Sequence, residues 1–186
     1  MRVQTGKLRQ PSLMVWLLHW VSAILVLYLL LTSLTSGLGL SQRVSPSNWM
    51  DWHLSAGIAV LVTSVIRLWT SDPWKNLVCV FKSKKPETRA IKSILLLTVF
   101  ATAITGLTIY QKSPFGKSGI IFEVFAMPTL IRLNHSVHNV VIDIHIALAL
   151  IIAALVIMHV IDGFRKNAMS GKSRFATMAW PWRRKL

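Results

Sequence analysis

Four apolar stretches, each near the ~20 residues an α-helix needs to cross a ~30 Å hydrocarbon core, dominate this chain. They run over about residues 13–36, 52–70, 91–110 and 137–164. Inside a bilayer no water satisfies backbone N–H and C=O groups, so a spanning segment is either a helix or part of a closed barrel. A barrel needs many short segments of alternating polarity. The runs here show none, and the last contains VVIDIHIALALIIAALVIMHV. The expected fold is all-α, an integral-membrane four-helix bundle. It forms one domain over residues 1–186, with a basic tail over 165–186. The first run follows Arg2, Lys7 and Arg9, as a secretory signal would, but at about 24 residues it exceeds the roughly 7–15 of a signal core. It is read as a span.

Charge gives the direction. The chain carries 21 Lys+Arg against 6 Asp+Glu, net +15. In a soluble protein that excess would suggest nucleic acid. Here, with 53% hydrophobic and 15% charged residues, it fits basic loops on the cytoplasmic side and no nucleic-acid partner. The amino-terminal arm, the connection from Arg67 to Lys92 and the carboxyl-terminal tail hold 17 of the basic residues, and the other two connections hold 4: Arg43, Lys112, Lys117 and Arg132. Both termini are therefore expected in the cytoplasm. Trp16, Trp20, Trp49, Trp52, Trp69 and Trp74 lie near the ends of the first two spans, where amphipathic rings favour the headgroup level. Trp180 and Trp182, in AWPWRRKL, suit a tail resting on the inner surface. Residues 118–134 are apolar but too short and too broken by Pro128 to span, and read as an interfacial or re-entrant cap on the outer face. The outer loops' basic residues outnumber Asp51, Glu123 and Asp143, so the outer mouth should be weakly positive and favour an anionic or acidic-faced partner.

The six histidines, His19, His53, His135, His138, His145 and His159, all lie in or beside the spans. An ionisable side chain in a membrane is a functional candidate, although a neutral imidazole also serves as an ordinary bond between helices. By depth, His19 and His159 share an inner level and His53 and His145 an outer one. His145 and His159 are 14 residues apart. That is nearly four helical turns, so they share one face, roughly 21 Å apart along the axis. Two stacked macrocycles, each gripped by neutral imidazoles from two helices, would fit the bundle core. Zinc needs four clustered ligands, which two levels of two do not offer. A proton relay would find Asp143 as its acid near the outer level. The single cysteine, Cys79, excludes a disulfide framework, a multi-cysteine zinc site and covalent c-type haem. Small residues beside His53 (Ser55, Ala56, Gly57) and His145 (Ala147, Ala149) give low relief for a flat ring, or simply close helix packing. Arg67, 14 residues after His53 on the same face, suits either a haem propionate or a cation snorkelling at a helix end.

These residues resemble the prokaryotic cytochrome b-561 family of small four-helix membrane cytochromes. The likeness runs over about residues 10 to 165, through LLHW at His19, HLSAGIAVLVTSVIRL from His53 and HIALALIIAALVIMHV from His145 to His159. It implies two haem b groups in the bundle core: His19 and His159 as axial ligands of the inner iron, His53 and His145 of the outer. It also implies electron transfer between a membrane quinone and a second redox partner. One branch is similar to a superoxide oxidase that reduces ubiquinone, and related subunits anchor hydrogenases and periplasmic dehydrogenases. Superoxide or a periplasmic redox protein is then the outer partner, with Arg67, Arg165 and Lys166 or the outer cap as quinone sites. Many relatives carry a histidine early in the third span and a proline where Thr105 precedes Gly106, and this chain has neither. His138, seven residues before His145, is the alternative outer ligand. His138 to His159 would cover roughly 31 Å, the whole core. A membrane anchor of a larger dehydrogenase and a cofactor-free helical transporter or scaffold are the competing functions. A neighbouring periplasmic redox subunit would mark the first, and a colourless protein the second.

Overall fold

A computed structural model describes residues 12–37, 48–71, 86–110, 120–122, 124–126 and 134–170. Four helices carry the fold: α1 (Leu13–Gly37), α2 (Asn48–Ser71), α3 (Pro86–Tyr110) and α4 (His135–Ser170). Each contains a segment long and apolar enough to cross a membrane: Leu13–Thr35, Trp49–Thr70, Ala90–Ile109 and His135–Arg165.

The helix starts follow from local chemistry. Before α1, the Ser12 hydroxyl accepts from the Val15 N–H at 3.4 Å. Before α4, Asn134 Oδ1 accepts from the Val137 N–H at 2.9 Å. Both satisfy amides that have no partner within the first turn. Pro86 opens α3, where its missing N–H costs nothing. Inside the spans, hydroxyls donate to carbonyls one turn back, as Ser22 does to Leu18 at 2.6 Å and Thr98 to Ile94 at 2.8 Å. These hydroxyls thus enter the apolar segments with their hydrogens satisfied.

Three helices outrun their apolar stretches. α2 starts at Asn48 rather than 52, α3 at Pro86 rather than 91, and α4 continues to Ser170 rather than 164. Hydropathy falls away at the first polar residues, while the hydrogen-bond ladder runs on through them. The basic tail, placed at 165, therefore begins as helix, and Trp180 and Trp182 lie outside the described residues.

The outer cap contains an element that periodicity did not show. β1 (Ile120–Ile121) and β2 (Phe125–Ala126) form an antiparallel hairpin with Ile120 opposite Ala126 and Ile121 opposite Phe125. Strands of two residues are too short to display alternation. At the hairpin's turn Phe122 has φ 50°, a left-handed conformation that is strained for a bulky residue. Its N–H donates to Ser55 Oγ at 2.8 Å, and Ser55 in turn donates to the Asp51 carbonyl at 2.7 Å. Ser55 is 1% exposed, so the cap is tied to α2 two residues beyond His53.

Close packing follows chain order: α1 on α2, α2 on α3, α3 on α4, with β1 against α2. Among the described residues neither α1 nor α2 packs closely on α4. The buried apolar core is small, Val60, Val99 and Ile152, with Leu25, Val26, Leu29, Leu30, Leu95, Ala103 and Val156 packed around it. Large aliphatic side chains such as Leu31, Leu150 and Ile157 face outward, as lipid contact requires. Replacing Ser55 by Ala leaves the Phe122 N–H without its acceptor, a cost of about 1–3 kcal/mol. Amide exchange at Phe122 should accelerate by about tenfold or more, with exchange in the middle of α3 unchanged.

Candidate functional site

Seven residues is nearly two helical turns, so residues seven apart share a face about 10 Å apart in depth. His145, Ile152 and His159 mark such steps on α4, and His53, Val60 and Arg67 mark them on α2. Val60 and Ile152 meet in the buried core. The histidines therefore stand above and below an aliphatic layer.

At the outer level a carbonyl fixes one tautomer. His145 Nδ1 lies 3.1 Å from the Thr102 carbonyl. A carbonyl only accepts, so the proton sits on Nδ1, and it is shared with Thr105 Oγ1 at 3.0 Å. Thr105 Oγ1 also lies 2.9 Å from the Thr102 carbonyl. His53 Nδ1 lies 2.9 Å from the Thr32 hydroxyl, which has the Leu29 carbonyl at 3.0 Å as a second partner. When Thr32 donates to that carbonyl, its oxygen accepts from His53 Nδ1. In both rings Nδ1 is the hydrogen-bonded nitrogen, so the ring orientation is held from behind. His145 lies within electrostatic reach of His53. The His53 ring also meets Trp49 edge-on, centroids 6.3 Å apart.

At the inner level the His19 and His159 rings are 6.4 Å apart between centroids, with planes at 67°. Two imidazoles that share one metal ion at about 2 Å per bond have centroids about 6 Å apart. Trp20 packs edge-on against His19 at 5.7 Å. Arg67 is half-buried and within electrostatic reach of His19.

Gly106 is essential to the outer site. A Cβ there would stand 2.9 Å from His145 Cε1, so α3 approaches the ring only because this residue has no side chain. At Gly57, one turn after His53, a Cβ would meet nothing within 4 Å. Ser55, expected as part of a low-relief surface, is instead occupied by the cap. Of the outer candidates on α4, His145 sits in the hydroxyl and carbonyl cage, whereas His138 Nδ1 is buried with no hydrogen-bond partner among the described residues. His135 lies exposed at the helix start, its Nδ1 3.4 Å from Asn139 Nδ2. Thr32, Thr102, Thr105 and Gly106 are site residues that the sequence reading did not single out as such. Their partners lie 21 to 43 residues away, and the available signal was a hydroxyl inside an apolar span at the depth of a histidine.

The donor set fits haem. Each level has two histidines on helices that do not pack closely, α1 with α4 inside and α2 with α4 outside. Among the described residues no three His, Cys, Asp or Glu side chains converge on a metal position. Two neutral imidazoles per level are what an iron with four porphyrin nitrogens still lacks. Gly106→Ala should displace the His145 ring at a cost of roughly 1–3 kcal/mol, lowering haem retention at the outer level about tenfold to hundredfold. Gly57→Ala should leave it unchanged. Haem content after detergent washing, by pyridine haemochrome, separates the two.

The model of the family described as prokaryotic cytochrome b561 matches residues 10–180. No curated protein and no solved structure matches the chain significantly. With four membrane-crossing helices and a match over nearly its whole length, the chain belongs to the prokaryotic cytochrome b561 family, haem b electron-transfer proteins that are multi-pass in a bacterial membrane.

Proposed function

We propose that this chain is a single di-haem domain that carries electrons through the membrane between a quinone and a redox partner on the outer side. The observation that carries the reading is the hydrogen bonding of Nδ1 on both outer histidines, His53 to Thr32 and His145 to Thr102 and Thr105. A ring held by its Nδ1 hydrogen presents Nε2 as a fixed, neutral ligand. His53 and His145 would hold the outer haem, and His19 and His159 the inner one. Haem iron supplies the one-electron chemistry.

The protein's share is placement and environment. Thr32, Thr102 and Thr105 orient the outer ligands and raise their basicity through the shared proton. Trp20 and Trp49 pack against one ligand at each level. Val60, Val99 and Ile152 separate the levels with aliphatic side chains that exclude water. The 14-residue spacing places the levels roughly 21 Å apart, and the width of two macrocycles brings their edges closer still. The arrangement of basic residues supports cytoplasmic termini and an outer site that faces superoxide or a periplasmic redox protein. Ubiquinone or another membrane quinone takes or gives the electrons either at the inner end, beside Arg67, Arg165 and Lys166, or on the outer side, beneath the cap. Lys112, Lys117 and Arg132, which would make the outer mouth positive, lie outside the described residues.

Purified protein should contain two non-covalent haems per chain, released by acid acetone and quantified as pyridine haemochrome. His145→Ala should lose one and His138→Ala neither. One haem in the wild type, or equal loss from both variants, would overturn the assignment. A reporter fused after Leu186 should be active only in the cytoplasm.

A further inference from the structure

The inner level contains a residue that no ligand pair explains. Three helices set a functional side chain, an aliphatic core residue and a second functional side chain at seven-residue steps. On α2 these are His53, Val60 and Arg67. On α4 they are His145, Ile152 and His159. On α3 they are Gly106, Val99 and Lys92, read from outer to inner. Gly106 touches His145 and Val99 meets Val60 and Ile152 in the core. The same helix face then delivers Lys92 to the level of His19 and His159. The charges of Arg67 and Lys92 both reach the His19 ring. Among the described side chains the other charged groups near this level are Asp162, three residues beyond His159, and Arg165, which is exposed, as Lys92 is. The outer level shows no cation among the described residues, and Asp51 lies half a turn before His53.

We propose that Lys92, with Arg67, forms a carboxylate-binding pair that holds the propionates of the inner haem and makes that haem more readily reduced than it would be without the pair. This rests on the haem assignment above. Two propionates in a low-dielectric site need opposite charge beside them. Arg67 offers a planar fork and Lys92 a flexible point charge that reaches from the neighbouring helix. A positive charge near an iron favours the state with one more electron. The two cations at the inner level therefore make the inner haem more ready to accept an electron.

The test is potentiometric titration of the purified holoprotein in nanodiscs, followed in the haem absorbance, in wild type and in the His145→Ala background where only the inner haem remains. Lys92→Gln should shift the one-electron equilibrium of the inner haem toward the oxidised form by about tenfold, about 59 mV. The outer component should hold its position, and Lys92→Arg should restore the wild-type value. Arg67→Gln removes charge at the same level independently and should move the same component in the same direction. An inner component indifferent to both charge removals, or both haems shifting equally, would overturn the proposal while leaving the haems in place. A colourless wild type would overturn the haem assignment with it. Anionic lipid headgroups share the chemistry of a propionate, so the titration is run in zwitterionic and in anionic nanodiscs. A shift that appears only with anionic lipid would assign the pair to lipid phosphate and sink the propionate reading.

Discussion

An imidazole N–H inside hydrocarbon must be given an acceptor, and the way His53 and His145 obtain theirs governs much else in the bundle. Each Nδ1 lies against a threonine hydroxyl that has a backbone carbonyl of its own helix as a second partner. The partners on α1 and α3 are therefore held by the helical ladder itself, and α2 and α4 are oriented against them. A hydroxyl free to rotate could serve as donor or acceptor and would leave the tautomer open. At His145 the Thr102 carbonyl removes that ambiguity, since it can only accept, and the free lone pair lies on the side facing away from it.

That constraint explains why α3 has a glycine where it meets α4. The carbonyl of Thr102 and the hydroxyl of Thr105 can reach His145 only if the backbone comes close, and at Gly106 it comes to a distance that a methyl group would not tolerate. The tight pairs are α1–α2, α2–α3 and α3–α4, while α1 and α2 make few close backbone approaches to α4 among the described residues. Their side chains still meet, Val60 with Ile152 in the core and His19 with His159 at the inner level.

The four spans were legible because a bilayer leaves a chain so few choices, and the 14-residue spacing of His145 and His159 was legible because one helix displays both. What lay across helices was not. Thr32 and Thr105 look like ordinary span residues until the helices are docked, since their partners are 21 and 40 positions away. Ser55 reads as a small residue beside a ligand, yet its hydroxyl is used to hold a strained Phe122 in a hairpin too short to leave a pattern. Lys92 reads as one more positive charge of a basic connection, and only the register of α3, fixed at Gly106 and Val99, gives it a position in the bundle. The helices run past their apolar stretches for a simpler reason: hydropathy measures contact with lipid, and a helix continues wherever its hydrogen bonds do.

The aliphatic layer between the two levels decides what can cross the membrane here. Val60, Val99 and Ile152 are nearly inaccessible, and Leu25, Val26 and Val156 pack around them. None can relay a proton, and an ion entering that layer would lose its hydration with nothing to replace it. An electron tunnels through the same side chains without needing a site among them. The bundle therefore separates the two kinds of charge. In the proposed di-haem arrangement electrons would pass between levels, while protons taken up or released by a quinone would be exchanged with water on whichever side the quinone binds. The side of quinone binding would then determine whether turnover moves net charge across the membrane.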